Sequence, residues 1–183
     1  MPTRVLMIPA RLGSKCIKGK NLRLLGGRPL LWHVAMQAKE AGVFDDIYVN
    51  SEGEIFREMA EAYGIRFYKR PDRLAADDAT NDDFAHDFMN TVPCDLLFQI
   101  NPTSPFTRAN DIRGFVERMS AENLEAMLSV KQEQVEAFYD GRPVNFDPTK
   151  QMPRSQDLTP VFLHCSNMFG WDIAVYKRNM QRY

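Results

Sequence analysis

Arg11, Lys15, Lys18 and Lys20 stand close together with no acidic residue among them, directly after the apolar run Val5-Leu6-Met7-Ile8. Gly13 and Gly19 punctuate the same stretch. A strand that feeds a basic, glycine-containing loop suits a polyphosphate, because cationic side chains and exposed backbone N–H groups converge on one anion. Two familiar phosphate motifs do not fit. Five residues rather than four separate Gly13 from Gly19-Lys20, and Asn21 occupies the Ser/Thr position of a P-loop. The G-x-G-x-x-G dinucleotide pattern is also not met. What remains is a loop able to neutralise a triphosphate while a nucleophile attacks one phosphorus. Taken alone, the same loop also reads as a solvated basic turn, since lysines are usually exposed.

The rest of the composition makes that loop informative. Its 23 basic and 24 acidic residues nearly cancel, so no global field draws the 183-residue chain to nucleic acid or to a membrane. Anion recognition must be local. At 44% hydrophobic content the chain can bury one sizeable core, and the expectation is one domain over residues 1–183. No apolar run approaches the length of a membrane span or of a signal-peptide core, which leads to the expectation of a cytoplasmic protein. Cys16, Cys94 and Cys165 are odd in number and widely spaced, so neither a disulfide framework nor a zinc site is indicated.

The elements that must position the loop follow from periodicity. Residues 4–8, 46–51, 65–68, 95–100 and 126–130 read as short strands. Between them, Leu30, Leu31, Val34, Ala35 and Ala38 recur at helical spacing up to Gly42, and residues 54–63 do the same up to Gly64. A third helix carries Phe84, Phe88 and Met89, and a fourth, capped by Asn110 and Asp111, carries Ile112, Phe115, Val116 and Met119. This alternation predicts an α/β fold with a mostly parallel sheet. A second irregular loop, Asn101-Pro102-Thr103-Ser104-Pro105, ends the most apolar of the later strands. Ligands of open α/β sheets bind beyond the carboxyl ends of strands, so both loops belong to one expected site. From Lys131 onward Gly and Pro break the pattern; only residues 161–163 and 168–176 read as ordered, with no evident terminal helix.

The run Ile8-Pro9-Ala10-Arg11-x-Gly13-Ser14-Lys15-x-Ile17-x-Gly19-Lys20-Asn21 resembles the opening motif of the acylneuraminate cytidylyltransferases, enzymes that make CMP-sialic acids and related CMP-nonulosonates. Arg70-Pro71-x-x-Leu74-Ala75-x-Asp77 and Pro102-Thr103-Ser104-Pro105 are similar to two further motifs of that family, in the same order. The resemblance covers residues 4–130 well; beyond them only the 154–158 stretch and Asn167 are similar. It implies a three-layer Rossmann-like nucleotidyltransferase fold, and a reaction in which the anomeric hydroxyl of a sugar acid attacks the α-phosphorus of CTP. Pyrophosphate would leave with the assistance of magnesium, for which no ligand is assigned. Arg11, Ser14 and Lys20 would hold the phosphates, Gly13 would allow close backbone approach, and Arg11 with Lys20 would stabilise transition-state charge. Asn21, Arg70 and Asn81 would face the cytidine, and Asn101 with Thr103 the sugar acid. A homodimer is implied as well, with residues 138–163 as the dimerisation extension. The alternatives are another acceptor such as a Kdo-type acid, or a non-catalytic nucleotide-binding homologue.

Several positions depart from the family pattern. Leu12 and Cys16 replace glycines, Asn101 replaces a glutamine, and Phe106-Thr107 replaces Leu-Arg. The D-I-D-type metal motif of the family has no counterpart before Tyr183, so a short form or a C-terminal part outside this chain is expected. Asp77, Asp78, Asp82 and Asp83 read more simply as a helix start than as metal ligands, with Asp77 bracing the loop. His33 and His86 read as structural or exposed, His164 as near the sugar side, and Trp32 and Trp171 as packing residues. Cys16 has no visible paired base for a nucleophilic role.

Overall fold

The computed structural model describes residues 2–14 and 17–179; Lys15 and Cys16 lie outside them, as do residues 180–183. Strand β1 (Arg4–Pro9) buries its four central residues and lies between two parallel neighbours. A two-residue ribbon, β2 (Leu24–Leu25) with β3 (Arg28–Pro29), turns on Gly26 and Gly27, both at positive φ, and hands the chain to helix α1 (Leu30–Ala41). Then come β4 (Asp46–Ser51), α2 (Glu54–Tyr63), β5 (Arg66–Lys69), α3 (Asn81–Thr91), β6 (Leu96–Ile100) and α4 (Ala109–Ala121). The chain continues through β7 (Ala126–Glu133), the short pair β8 (Phe138–Tyr139) and β9 (Arg142–Pro143), β10 (Val161–Asp172) and α5 (Ile173–Asn179).

Six strands form one sheet in the order β5-β4-β1-β6-β10-β7. The pairs β1 with β4, β1 with β6 and β4 with β5 are parallel, whereas β10 runs antiparallel to β6 with Gly170 opposite Phe98. Glycine is required there by space: a Cβ on Gly170 would sit 2.5 Å from Met119 Sδ and 3.0 Å from the Phe98 ring. Alternation along β1 then sorts the layers. Leu6 and Ile8 join the core formed with α1, α2 and α4, including Val34, Phe56, Ile112 and Met119. Met7 and its register partner Tyr48 face the other way, where Phe88 of α3 packs edge-on against Tyr48 and Tyr68. Helices cover both faces, giving the α/β three-layer architecture with a mostly parallel sheet.

The local reasons match the sequence patterns except near the helix starts and the C-terminal region. Gly42 and Gly64 close α1 and α2 in the left-handed conformation. Helix α4 begins at Ala109, ahead of the expected caps. Asp111 acts as its third residue, accepting the Arg108 N–H at 3.1 Å, so it closes the turn from inside rather than capping it from outside. For α3 the cap is Thr80, in a reciprocal box with Asp83. The segment expected to be ordered in two pieces is one twelve-residue strand, β10, and a terminal helix follows it where none was expected. Strand β10 pairs antiparallel with the fully buried β6, and its polar residues His164, Ser166 and Asn167 hide it from a hydrophobicity pattern.

The chain forms two compact units, Met1–Met127 with Asn167–Tyr183, and Leu128–Ser166. Within the second unit Asn145 ties three segments, accepting from the Ala137 N–H and donating to the Val135 and Thr159 carbonyls. Phe138 and Phe146 meet edge-on beside the Asp140-Gly141 turn, and residues 138–163 fall wholly within this unit. Among the described residues no helix is long and apolar enough to cross a membrane.

Candidate active site

The loop after β1 is held at both ends. Ala10 is fully buried and donates its N–H to the Asn50 carbonyl at 3.0 Å. Asn21, also buried, donates through Nδ2 to the Arg11 carbonyl at 3.1 Å and so draws the loop's exit back to its entry. Gly19, at φ 61, starts the 3-10 turn Lys20–Leu22 that makes this return possible. Leu12, which replaces a family glycine, fixes the loop differently. Its N–H donates to Glu52 Oε1 at 2.7 Å, and its side chain takes the space over Gly53, where a Cβ would come within 2.7 Å of Leu12 Cγ. Cys16, the other departure in this loop, lies outside the described residues.

The second motif meets the first through Arg11. Its Nη1 lies 3.1 Å from Asp77 Oδ1 and within hydrogen-bonding reach of the Ala75 and Ala76 carbonyls. Asp77 thus takes the bracing role expected of it. Arg70 is only 2% exposed, stacks at 4.3 Å on the Phe84 ring, and donates Nε to Asn50 Oδ1 and Nη2 to the Asn50 carbonyl. Asn50 is neutral, so the guanidinium keeps its charge without a carboxylate in contact among the described residues. Burial pushes its pKa down to about 10, against the pull of Glu52 and with the repulsion of Arg11. It stays cationic at neutral pH, and a bound anion would relieve the cost of burying it.

The third motif closes the site. Asn101 donates its N–H to the Asn167 carbonyl, Ser104 to the Asn101 carbonyl, and Thr107 to the Ser104 carbonyl. Buried Thr107 also donates Oγ1 to the Ser104 carbonyl and reaches Asn167 Oδ1 at 3.2 Å, whereas its neighbour Phe106 is 81% exposed. The Phe106-Thr107 departure therefore swaps a cation for a loop brace and an apolar rim.

The nine residues to which the resemblance gave a binding role line one cleft of about 270 Å³ at the carboxyl ends of β1 and β6. Arg11, Gly13, Ser14, Lys20 and Asn21 form one wall; Arg70, Asn81, Asn101 and Thr103 form the other. Open space lies over Gly13, where an added Cβ would meet nothing within 4 Å. Among the described residues three cations border this cleft and no carboxylate does. A second, more apolar cavity of about 850 Å³ adjoins it, sharing Lys20 and Thr103 and walled by Leu24, Leu25, Leu30, Phe106 and Met168. Sequence reasoning missed Asn50, Glu52, Phe84 and Gln99. Gln99 carried a readable signal, a polar residue inside an otherwise apolar strand.

A protein-held magnesium does not fit these residues. The cleft offers amide and hydroxyl oxygens but no carboxylate, and no group of three or more His, Cys, Asp or Glu stands together among the described residues. Asp82 and Asp83 open α3, with Asp83 engaged in the Thr80 box. His33 Nε2 is 2.8 Å from the Leu25 carbonyl oxygen, and His86 neighbours Asn90 on α3; neither lines the cleft. Trp171 is buried and stacked with Phe169, and Trp32 lies under Arg28. Burial and the charge of Asp95 push the Cys94 thiol up to about 11, leaving it inert.

A family model described as Cytidylyltransferase matches residues 5–163. The chain is 29% identical over 183 residues to an N-acylneuraminate cytidylyltransferase of Streptococcus agalactiae serotype V, covering 95% of this chain and 44% of that one. It is 34% identical over 125 residues to a CMP-N,N'-diacetyllegionaminic acid synthase of Legionella pneumophila, covering 61% and 50%. The chain thus spans half or less of the length of these relatives. Among solved structures it is similar to a CMP:2-keto-3-deoxy-manno-octonic acid synthetase complexed with CTP, at TM-score 0.72 and 19% identity over 98% of this chain and 78% of that one. A 4-diphosphocytidyl-2C-methyl-D-erythritol synthase of Anaerococcus prevotii gives 0.67 and 13% over 99% and 78%, and both likenesses show the fold. With the motifs gathered on one cleft and the family model covering most of its length, the chain belongs to the cytidylyltransferase family.

Proposed function

We propose that the chain transfers CMP from CTP to the anomeric hydroxyl of a nonulosonic, sialic-acid-like sugar acid, releasing pyrophosphate. The observation that carries this reading is a cleft bordered by Arg11, Lys20 and Arg70 and, among the described residues, by no carboxylate, beside a larger and more apolar cavity. Arg11, Ser14 and Lys20 hold the phosphates, and Gly13 leaves room for them. Asn21, Arg70 and Asn81 receive the cytidine, and Asn101 and Thr103 meet the sugar acid where the two cavities join. The hydroxyl oxygen forms its bond to the α-phosphorus as the bond from that phosphorus to the bridging oxygen breaks. Negative charge that grows on the pyrophosphate is met by Arg11 and Lys20. Among the described residues no carboxylate or imidazole lines the cleft, so the hydroxyl proton passes to water or to the departing pyrophosphate. Magnesium enters as the nucleotide's own counter-ion, as part of the substrate.

The same reading makes the protein a cytoplasmic homodimer, as CTP is drawn from the cytoplasmic pool. Support for association comes from the second unit, which exposes Phe138, Tyr139, Val144, Phe162 and Leu163. Pyrophosphate release from CTP with a panel of nonulosonic and Kdo-type acids tests the reaction, and sedimentation tests the assembly. Turnover with a Kdo-type acid alone would move the acceptor assignment. CTP binding by calorimetry without turnover would make the chain a nucleotide-binding homologue.

A further inference from the structure

Strand β6 carries one polar side chain, Gln99, among Leu96, Leu97, Phe98 and Ile100. Gln99 is fully buried, and its Nε2 donates twice: to Asn81 Oδ1 at 2.7 Å and to Asn101 Oδ1 at 3.0 Å. These two asparagines stand in one wall of the cleft, Asn81 at the start of α3 and Asn101 just past β6. A primary amide has two N–H groups, and both are spent here. Each asparagine therefore turns its oxygen to Gln99 and its Nδ2 away from it. Gln99 Oε1 and Asn81 Nδ2 are buried with no hydrogen-bond partner among the described residues. The unpaired buried amide oxygen costs stability and offsets part of what the two hydrogen bonds contribute, so Gln99 adds little net stability to the fold.

We infer that Gln99 is a positioning residue that locks the side-chain amides of Asn81 and Asn101 in one orientation, so that both offer the substrates hydrogen-bond donors rather than acceptors. The inference rests on the proposed transfer reaction, because it assigns Asn81 to the nucleotide and Asn101 to the acid. The atom that Asn81 Nδ2 awaits is a hydrogen-bond acceptor of the nucleotide, a base or ribose oxygen or an unprotonated ring nitrogen. One buried side chain thereby serves both halves of the site, and its loss weakens both.

The variant Gln99→Met keeps length and removes the donor. Its expected behaviour is little-changed thermal stability together with a rise of about 3- to 10-fold in KM for CTP and in KM for the acid, one neutral hydrogen bond each. Combining it with Asn101→Ala gives a KM for the acid no worse than Asn101→Ala alone, since the first change acts through the second residue. In the unliganded protein, the side-chain amide signals of Asn81 and Asn101 in nitrogen-15 spectra shift and broaden in Gln99→Met. Additive effects in the double variant, unchanged amide signals, or a Gln99→Met protein that fails to fold would each overturn the inference. If the unsubstituted protein releases no pyrophosphate with any acid, the transfer reading falls; the amide signals and CTP calorimetry still decide the role of Gln99.

Discussion

Arg11 Nη1 lies 3.1 Å from Asp77 Oδ1, and this contact joins two motifs that are far apart in the chain. Both side chains are partly exposed, so the pair itself adds at most about 1 kcal/mol to stability. Its consequence is geometric, because the same guanidinium borders the cleft. Asp77→Asn is expected to change the melting temperature by no more than about 2–4 °C while weakening CTP binding several-fold. Thermal shift and calorimetry on the same preparation check this, and an unchanged affinity would remove Asp77 from the site.

Arg70 depends on Asn50 in a different way, since its guanidinium is buried and the neutral Asn50 amide is its main side-chain partner. Asn50→Ala leaves a buried cation short of an acceptor and is expected to cost about 1.5–3 kcal/mol in urea unfolding. Asn50→Asp supplies a carboxylate instead. It should raise the Arg70 pKa from its present value of about 10 and yet weaken CTP binding, because the charge meant for the ligand is neutralised from within.

The cap of α3 gives a pH signature. Hydrogen bonds from the Thr80 hydroxyl and N–H hold the Asp83 carboxyl below its ordinary 3.8. A depressed carboxylate pKa in the folded state contributes stability above the unfolded value, and that contribution is lost as pH falls through the folded one. Thr80→Ala should therefore cost about 1 kcal/mol at neutral pH, with the gap to the unsubstituted protein narrowing in acid below the ordinary carboxylate range. Denaturant midpoints along a pH series measure it.

Magnesium should act only with the nucleotide. Among the described residues the cleft is bordered by three cations and no carboxylate, so millimolar magnesium alone is expected to leave the melting temperature within about 1 °C. Magnesium with CTP at a hundred times its dissociation constant should stabilise by about 2.7 kcal/mol. Removing the metal with a chelator should abolish turnover while leaving CTP binding measurable. A thermal shift from magnesium alone would point to a metal site held by the protein.

The sequence by itself determined the layers and marked the loop residues that meet at the cleft. Apolar runs at strand length and the periodic faces of α1, α2 and α4 are local signals, and burial of those faces leaves few alternatives to a covered, mostly parallel sheet. The motif residues were legible because glycines, cations and X-Pro steps mark loops at strand ends whatever packs around them. Only the tertiary structure decided what those residues touch. That Asp77 faces Arg11, that Asn50 holds Arg70, and that Gln99 spans Asn81 and Asn101 depends on parallel strands bringing distant loops to one edge of the sheet. Strand β10 was out of reach for the same reason: it pairs with β6, and its partner strand, not its own composition, makes it a strand.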